Sequence, residues 1–256
     1  MNIFIYNGTF EGFLTAIFDA YEMKIVPDKI IPSETEYSLF PDNYYNIQPD
    51  KEKSDRVWNG LKKKISENTC KMIYTVFLSE SAMEKQLYDF ICKIFDTPYN
   101  IESNMGDANI LNLRNMERKV HKEAVRMIEF IRFQKMADNI FFASISPAYD
   151  VIPLLIKHFE ARFTDQKWII YDLKRDYGIF YNLKETVQMT IPNLRVSPHS
   201  GQVSDEAKDI DENLFQSLWQ DYFDSINIKE RKNPKLQRQF MPARYWKFMP
   251  EKNRLR

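Results

Sequence analysis

Two pairs of short apolar runs, each pair joined by a polar turn, constrain the fold of this chain more than any other feature. The first pair is 131–135 (IRFQK) and 140–145 (IFFASI), and the second is 167–173 (KWIIYDL) and 178–183 (GIFYNL). Short β-rich runs separated by turn residues predict hairpins of neighbouring antiparallel strands. A further strand over 185–191 would extend the same sheet.

Helical patterns surround this β-rich part. The clearest runs from about Asn109 to Ile131, where Leu113, Val120 and Met127 recur on one face. Further helices are predicted over 9–21, 51–67, 80–96, 150–163 and 211–225. The last of these has an apolar face made of Leu214, Leu218, Trp219, Tyr222 and Phe223.

The chain opens as strand, turn and helix. Ile3 to Tyr6 are β-formers, Asn7-Gly8 is a turn pair, and Thr9 can cap the helix that follows. A short strand is expected near Lys24 to Val26. Because regular alternation of strand and helix is missing, the pattern predicts an α+β fold with a mainly antiparallel sheet packed by helices.

The bulk composition is that of a globular protein. A chain of 256 residues can bury a core without disulfide or metal support. Cys70 and Cys92 match no metal or redox spacing. The N-terminal stretch has no basic leader, and no apolar run approaches the roughly 18 residues that cross a bilayer. We therefore expect a cytoplasmic protein without membrane contact.

Familiar cofactor and catalytic motifs are missing. The sequence contains no Walker A, G-x-G-x-x-G or G-x-S-x-G motif. A zinc deaminase needs H-x-E followed by P-C-x-x-C, and His121-Lys122-Glu123 supplies only the first part. An iron–sulfur cluster needs several closely spaced cysteines. The sequence therefore predicts neither a metal nor a cofactor.

Positive charge is concentrated at the C-terminus. Residues 229–256 contain ten Lys or Arg and two Glu, although the whole chain has no net charge. This asymmetry predicts a core domain over 1–228 and a basic, aromatic segment over 229–256. Lys and Arg neutralise phosphates, and Tyr, Trp and Phe stack on unpaired bases. The alternative is a basic tail that docks on the acidic remainder of its own chain.

The predicted nucleic-acid contacts lie mostly in this segment, and cations on two earlier helices would extend the surface. The segment residues are Arg231, Lys232, Asn233, Lys235, Gln237, Arg238, Arg244, Tyr245, Trp246 and Lys247, and the additional cations are Lys119, Arg126 and Arg162.

Three side chains are candidates for acid–base chemistry. His158 lies four residues before Arg162 on a predicted helix, so the two point the same way. Asp172 ends a predicted strand, where a carboxylate can act as a general base. Glu123 lies between charged neighbours on the long helix. Each also has a structural interpretation: a surface histidine, a hairpin brace with Arg175, and an intrahelical ion-pair ladder.

Four stretches of this sequence resemble a bacterial family of DNA-metabolism or DNA-repair proteins, built on a domain of unknown function. They are YNGTFEGFLTAIFDAY, ERKVHKEAVRMIEFIRF, SPAYDVIPLLIKHFEARFTDQKWIIYDLKRDYGIFY and LWQDYFDSINIKERKNPKLQRQFMPARYWKFMPE. The resemblance implies a DNA context and a radical SAM partner, because members are typically encoded beside a radical SAM protein assigned to DNA modification or repair. Some are joined to a uracil-DNA-glycosylase-like domain. It supplies no catalytic residues.

These observations leave three hypotheses. The first is an accessory protein that binds single-stranded DNA or damaged duplex for a radical SAM enzyme. The second is a metal-independent enzyme acting on DNA or a nucleotide, with His158, Asp172 and Glu123 as its acid–base groups. The third is a protein–protein adaptor whose C-terminal segment docks an acidic partner.

Overall fold

A computed structural model describes residues 1–35, 43–192, 196–197 and 201–253 of the chain. The chain divides into two compact units, Met1–His121 and Lys122–Arg256. Helices and sheets are mixed, so the predicted α+β class is confirmed. The predicted division into a core domain over 1–228 and a basic, aromatic segment over 229–256 stays a prediction.

The first unit contains a small parallel sheet. Strand β1 (Asn2–Tyr6) lies between β2 (Lys29–Pro32) and β3 (Asn43–Asn46), and it pairs in parallel with both. The prediction of a strand near Lys24 is wrong, because Lys24 ends the first helix in a left-handed conformation with φ of 56°. Its N–H is bonded to the carbonyls of the preceding turn, so the chain becomes extended only later.

Among the described residues, four helices lie wholly within the first unit. They are α1 (Phe10–Met23), α2 (Lys51–Lys64), α3 (Glu67–Phe77) and α4 (Glu84–Asp96). The predicted opening of strand, turn and helix is confirmed. Helix α3 was not predicted, because the apolar pattern runs on past residue 64. The Ser66 side chain accepts a hydrogen bond from the N–H of Thr69 and so begins a new helix there.

Helix α5 (Ala108–Phe130) supplies residues to both units and confirms the clearest helical prediction. It buries Leu113, Val120 and Met127, as the periodicity indicates. Neither this helix nor any other in the described part of the chain is long and apolar enough to cross a membrane.

The second unit is built on a five-stranded sheet in the order β4-β5-β6-β7-β8. The strands are β4 (Gln134–Lys135), β5 (Phe141–Ile145), β6 (Trp168–Asp172), β7 (Tyr177–Tyr181) and β8 (Thr186–Met189). Both predicted hairpins are confirmed, since β4 pairs with β5 and β6 pairs with β7 in antiparallel fashion. Strand β8 adds antiparallel to β7.

One pairing in this sheet differs from the predicted pattern. Strands β5 and β6 are parallel, with Phe142 opposite Ile169. Helix α6 (Ile152–Arg162) lies between them in sequence and forms the crossover that parallel neighbours require. A β–α–β unit is therefore present, although the sheet as a whole is mostly antiparallel.

Short helices form the C-terminal part of the second unit. They are α7 (Glu212–Ser225), α8 (Pro234–Phe240) and α9 (Pro250–Asn253), with 3-10 turns at Lys229–Arg231 and Ala243–Phe248. The predicted helix over 211–225 is confirmed by α7. Its apolar face is largely exposed, with Leu214 at 58% and Tyr222 at 55% of full exposure.

Candidate nucleic-acid interface

The basic C-terminal segment consists of two parts with opposite environments. Residues 241–252, here called the docked half, include the buried side chains of Tyr245, Met249 and Glu251. Residues 231–240, here called the exposed half, are exposed at every position. The segment therefore combines both predicted arrangements, a docked tail and an open cationic surface.

The first anchor of the docked half is Glu123, a buried carboxylate on α5. It accepts a hydrogen bond of 2.6 Å from the Tyr245 hydroxyl and forms an ion pair with Arg244. Its other oxygen accepts from the N–H of Ala148 at 2.9 Å, in the loop after β5. Burial, together with the nearby Glu123 carboxylate, raises the pKa of the Tyr245 hydroxyl. Glu123 therefore joins three parts of the second unit.

The second anchor is Glu251, another buried carboxylate. The guanidinium of Arg132 donates two hydrogen bonds to it, at 2.8 and 3.1 Å. The indole N–H of Trp219 donates a third, at 3.1 Å. These contacts tie α9 to α7 and to the chain just before β4. Because each anchor is buried, the docked half is held by interactions that solvent screens only weakly.

The predicted contacts in the docked half are consequently occupied within the protein. The Tyr245 ring is buried and packs against Phe130 with 5.5 Å between centroids, so it offers no face to a base. The Trp246 indole donates to the carbonyl of Met241 at 3.0 Å and is half-buried. The ammonium of Lys247 lies 4.7 Å from the Phe248 ring centroid.

The exposed half presents four cations to solvent: Arg231, Lys232, Lys235 and Arg238. None of the ion pairs among the described residues involves any of them. The Asn233 side chain accepts from the N–H of Leu236 at 3.0 Å and begins α8, so it orders the helix that carries two of these cations. Positive charge therefore remains open on this surface.

A cleft of about 670 Å³ opens between α7 and α8. Its apolar lining comes from both helices and the turn that joins them. Amide side chains, among them Asn227 and Gln237, also line it. Apolar and cationic side chains that line the cleft are Phe223, Ile228, Leu236, Phe240, Arg231 and Lys232. Apolar walls with a few charged and amide groups are typical of sites for small organic ligands.

Lys252 lines the same cleft but is only 4% exposed. Its ammonium lies 4.7 Å from the ring centroid of Phe223 and 5.6 Å from that of Trp246. Within the described residues, its side chain has neither an ion pair nor a hydrogen bond. Burial lowers the pKa of this ammonium. Sequence reasoning missed Lys252, because a four-residue helix has no periodicity that could reveal its contact with α7.

The additional predicted cations lie on other helices. Arg126 is half-buried on α5, and Lys119 is exposed on the part of that helix that belongs to the first unit. Arg162 is exposed at the end of α6, with its guanidinium 5.8 Å from the Phe163 ring centroid.

Two of the three acid–base candidates meet at one loop. Asp172 is fully buried at the end of β6, where it pairs with Arg175 at 2.6 Å. Burial raises the pKa of Asp172, and Arg175 opposes this effect. Arg175 also donates to the carbonyls of Pro147 and Ala148, at 3.3 Å each. Asp172 thus braces, through Arg175, the loop whose N–H Glu123 binds.

His158 is exposed on α6, and its ring lies edge-on to Phe159. Among the described residues, its contacts do not bring it to the carboxylates of Glu123 or Asp172. The geometry therefore joins the two carboxylates through structural contacts and leaves the histidine apart.

The chain is thus an α+β protein whose second unit presents a cationic surface beside an open cleft. The family model described as "Domain of unknown function (DUF4130)" matches residues 81–251, so the chain belongs to this family. The matched region includes both anchors, the exposed half and all of the cleft lining except Lys252. No curated protein matches the chain.

Proposed function

We propose that this chain is a DNA-binding accessory protein, which holds single-stranded DNA or an unpaired stretch of damaged duplex through its exposed half. One observation carries the proposal. Four cations of the exposed half lie open to solvent, although the chain contains as many acidic residues as basic ones. Cations that no internal carboxylate neutralises are available to an external polyanion.

Unpaired bases fit this surface better than intact duplex. Phe240 is 67% exposed and Leu236 is 48% exposed, and both lie among the four cations. An exposed ring can stack on a base only where that base is not already stacked between neighbours. The combination of cations and apolar side chains therefore favours single strands.

A radical SAM enzyme is the partner that we propose for this protein. The sequence resemblance supports this partner, because it implies a gene neighbour of the radical SAM class. The surface of α7 is compatible with a protein contact, since Leu214, Phe215 and Leu218 are each more than half exposed. In this arrangement the accessory protein holds the DNA, and the partner carries out the chemistry.

A fluorescence anisotropy titration tests DNA binding directly. We expect a labelled single-stranded oligonucleotide to bind more tightly than a duplex of the same sequence, and both affinities to fall as salt rises. The absence of DNA binding at low salt would contradict the proposal. Binding that does not respond to salt would contradict the role of the cations.

Charge removal identifies the surface. In the test variant, Arg231, Lys232, Lys235 and Arg238 are all changed to Gln. The matched control changes four exposed lysines elsewhere to Gln: Lys51, Lys63, Lys157 and Lys184. Both variants lose the same charge. We expect the first to weaken binding of single strands at least about tenfold more than the second, because only the first removes phosphate contacts.

A second candidate function is protein–protein adaptation, which the exposed apolar face of α7 favours. Changing Phe215 and Leu218 to Ser would remove two exposed apolar side chains of α7 without touching a buried residue. An adaptor predicts a partner that copurifies after nuclease treatment and is lost in this double variant. Retention of the partner in the variant, or loss of the partner on nuclease treatment of the unmodified protein, would contradict the adaptor.

A further inference from the structure

The cleft between α7 and α8 has the composition of a site for one nucleotide. Its volume of about 670 Å³ lies within the range of about 300–1,000 Å³ that small-molecule sites occupy. We propose that it seats one unstacked nucleotide of a bound strand, with the base on the apolar wall and an adjoining phosphate on Arg231, Lys232 and Lys252. This inference rests on the proposed function and deepens it.

The apolar wall explains where the base would lie. Ile228, Leu236 and Phe240 line the cleft and are each about half exposed or more. A flat, apolar base face covers such side chains and removes them from water. The carboxamides of Asn227 and Gln237, which also line the cleft, can bond the polar edge of the base or its sugar.

Lys252 explains where the phosphate would lie. Burying an ammonium group is costly unless a charged or polar group compensates it. In the described part of the chain, the faces of Phe223 and Trp246 lie against the ammonium of Lys252. The nearby carboxylates of Glu251 and Asp224 attract it, but neither forms an ion pair with it among the described residues. A phosphate oxygen entering the cleft would pair with this ammonium directly, and Arg231 and Lys232 lie at the same cleft.

Two carboxylates also line the cleft, so their effect on an anion matters. Glu251 already binds Arg132 and Trp219, which neutralises its charge locally. The remaining acidic side chain is Asp224. Against it stand Arg231, Lys232 and Lys252, so the local balance still favours an anion.

The first experiment tests the base position. Phe240→Ala changes an exposed ring that lines the cleft, and Phe215→Ala changes a ring of similar exposure outside the cleft lining. Each variant is titrated with a single-stranded oligonucleotide and with an abasic strand of equal length and charge. We expect Phe240→Ala to weaken binding of the base-containing strand about tenfold and to leave abasic binding unchanged, because one stack is lost.

The control defines what would overturn this result. Phe215→Ala should change neither affinity. Equal losses from both variants, or an equal loss on both strands, would show that the ring acts through the fold or through general surface effects. Either result would overturn the base position.

The second experiment tests the phosphate position. Lys252→Met removes the ammonium and keeps the unbranched side chain between the two rings, while Lys235→Met removes an exposed charge outside the cleft lining. A purely diffuse electrostatic surface predicts similar effects from the two variants, because each removes one positive charge. The proposed nucleotide site predicts a difference, with Lys252→Met weakening single-strand binding at least about threefold more than Lys235→Met.

The fold of Lys252→Met is checked by near-ultraviolet circular dichroism. If that variant misfolds, Arg231→Gln replaces it, because Arg231 lines the cleft and is exposed. A cleft variant that weakens binding no more than its control outside the cleft would overturn the phosphate position.

A titration with deoxyadenosine monophosphate alone separates this inference from the proposed function. Suppose that the unmodified protein binds the mononucleotide but not DNA, and that Phe240→Ala abolishes this binding. That result would support the nucleotide site in the cleft and contradict the DNA-holding function. Salt-dependent DNA binding that is unchanged in every cleft variant would support the DNA-holding function and contradict the nucleotide site.

Discussion

The two halves of the C-terminal segment are similar in composition but differ in environment. Both contain Arg and Lys beside aromatic side chains, yet residues 241–252 are docked and residues 231–240 are exposed. The buried carboxylate of Glu123 pairs with Arg244 of the docked half, and Glu251, a buried residue of that half, pairs with Arg132. Among the described residues, Arg231, Lys232, Lys235 and Arg238 of the exposed half form no ion pair. The contacts of these two buried carboxylates, not the basic composition, distinguish the docked half from the exposed half.

Removal of the first anchor should break the docked half most strongly. Glu123→Ala leaves Tyr245, Arg244 and the N–H of Ala148 without their common acceptor. We expect a loss of about 3 kcal/mol in the free energy of unfolding, as is typical when one partner of a buried ion pair is removed. Urea unfolding followed by tryptophan fluorescence measures it. Glu129→Ala, an exposed change on the same helix, should cost less than about 0.5 kcal/mol.

The second anchor allows a comparison within the segment itself. Glu251→Ala removes the acceptor of Arg132 and Trp219, and we expect a loss of about 2 kcal/mol. Glu230→Ala removes an exposed carboxylate close to the exposed half and should change the unfolding free energy by less than about 0.5 kcal/mol. Equal effects of the two changes in urea unfolding would contradict the division into a docked and an exposed half.

Limited proteolysis should report the same division as a difference in rate. Trypsin needs an opened backbone, and local opening is easier where few buried contacts hold the chain. We expect cleavage after Lys235 or Arg238 at least about tenfold faster than cleavage after Arg244 or Lys247. Mass spectrometry of early fragments identifies the sites. First cleavage after Arg244 would contradict the anchors.

The smallest expected effect concerns the side chain that caps α8 in the exposed half. The Asn233 side chain caps α8, and Asn233→Ala should destabilise that helix by about 1 kcal/mol. Hydrogen exchange of the amide groups in α8 measures this local change. Asn233→Asp, which keeps an acceptor, should preserve the protection. Unchanged exchange in Asn233→Ala would mean that the cap does not hold α8.

Local patterns predicted the parts of this fold that depend on local chemistry. The hairpins β4–β5 and β6–β7 follow from short turns, and α5 follows from its periodic apolar stripe. The parallel pairing of β5 with β6 could not be predicted, because it depends on how α6 returns the chain to the sheet. The break before α3 depends on one capping side chain, Ser66, within a continuous pattern.

The candidate site divides in the same way. The cations of the exposed half could be predicted, since exposure is the usual state of Lys and Arg. The hydrogen bond from Tyr245 to Glu123 joins residues far apart in the chain, and no sequence spacing indicates this contact. Lys252 becomes distinctive only through its contacts with Phe223 and Trp246.

The most direct test of the central claim is the salt dependence of single-strand binding. The logarithm of the binding constant falls linearly with the logarithm of salt concentration, by about 0.7 for each phosphate contact on a single strand. If the four open cations bind phosphates, changing Arg231, Lys232, Lys235 and Arg238 to Gln should reduce the magnitude of this slope by about 3. A slope equal to that of the unmodified protein would show that these cations do not contact the DNA.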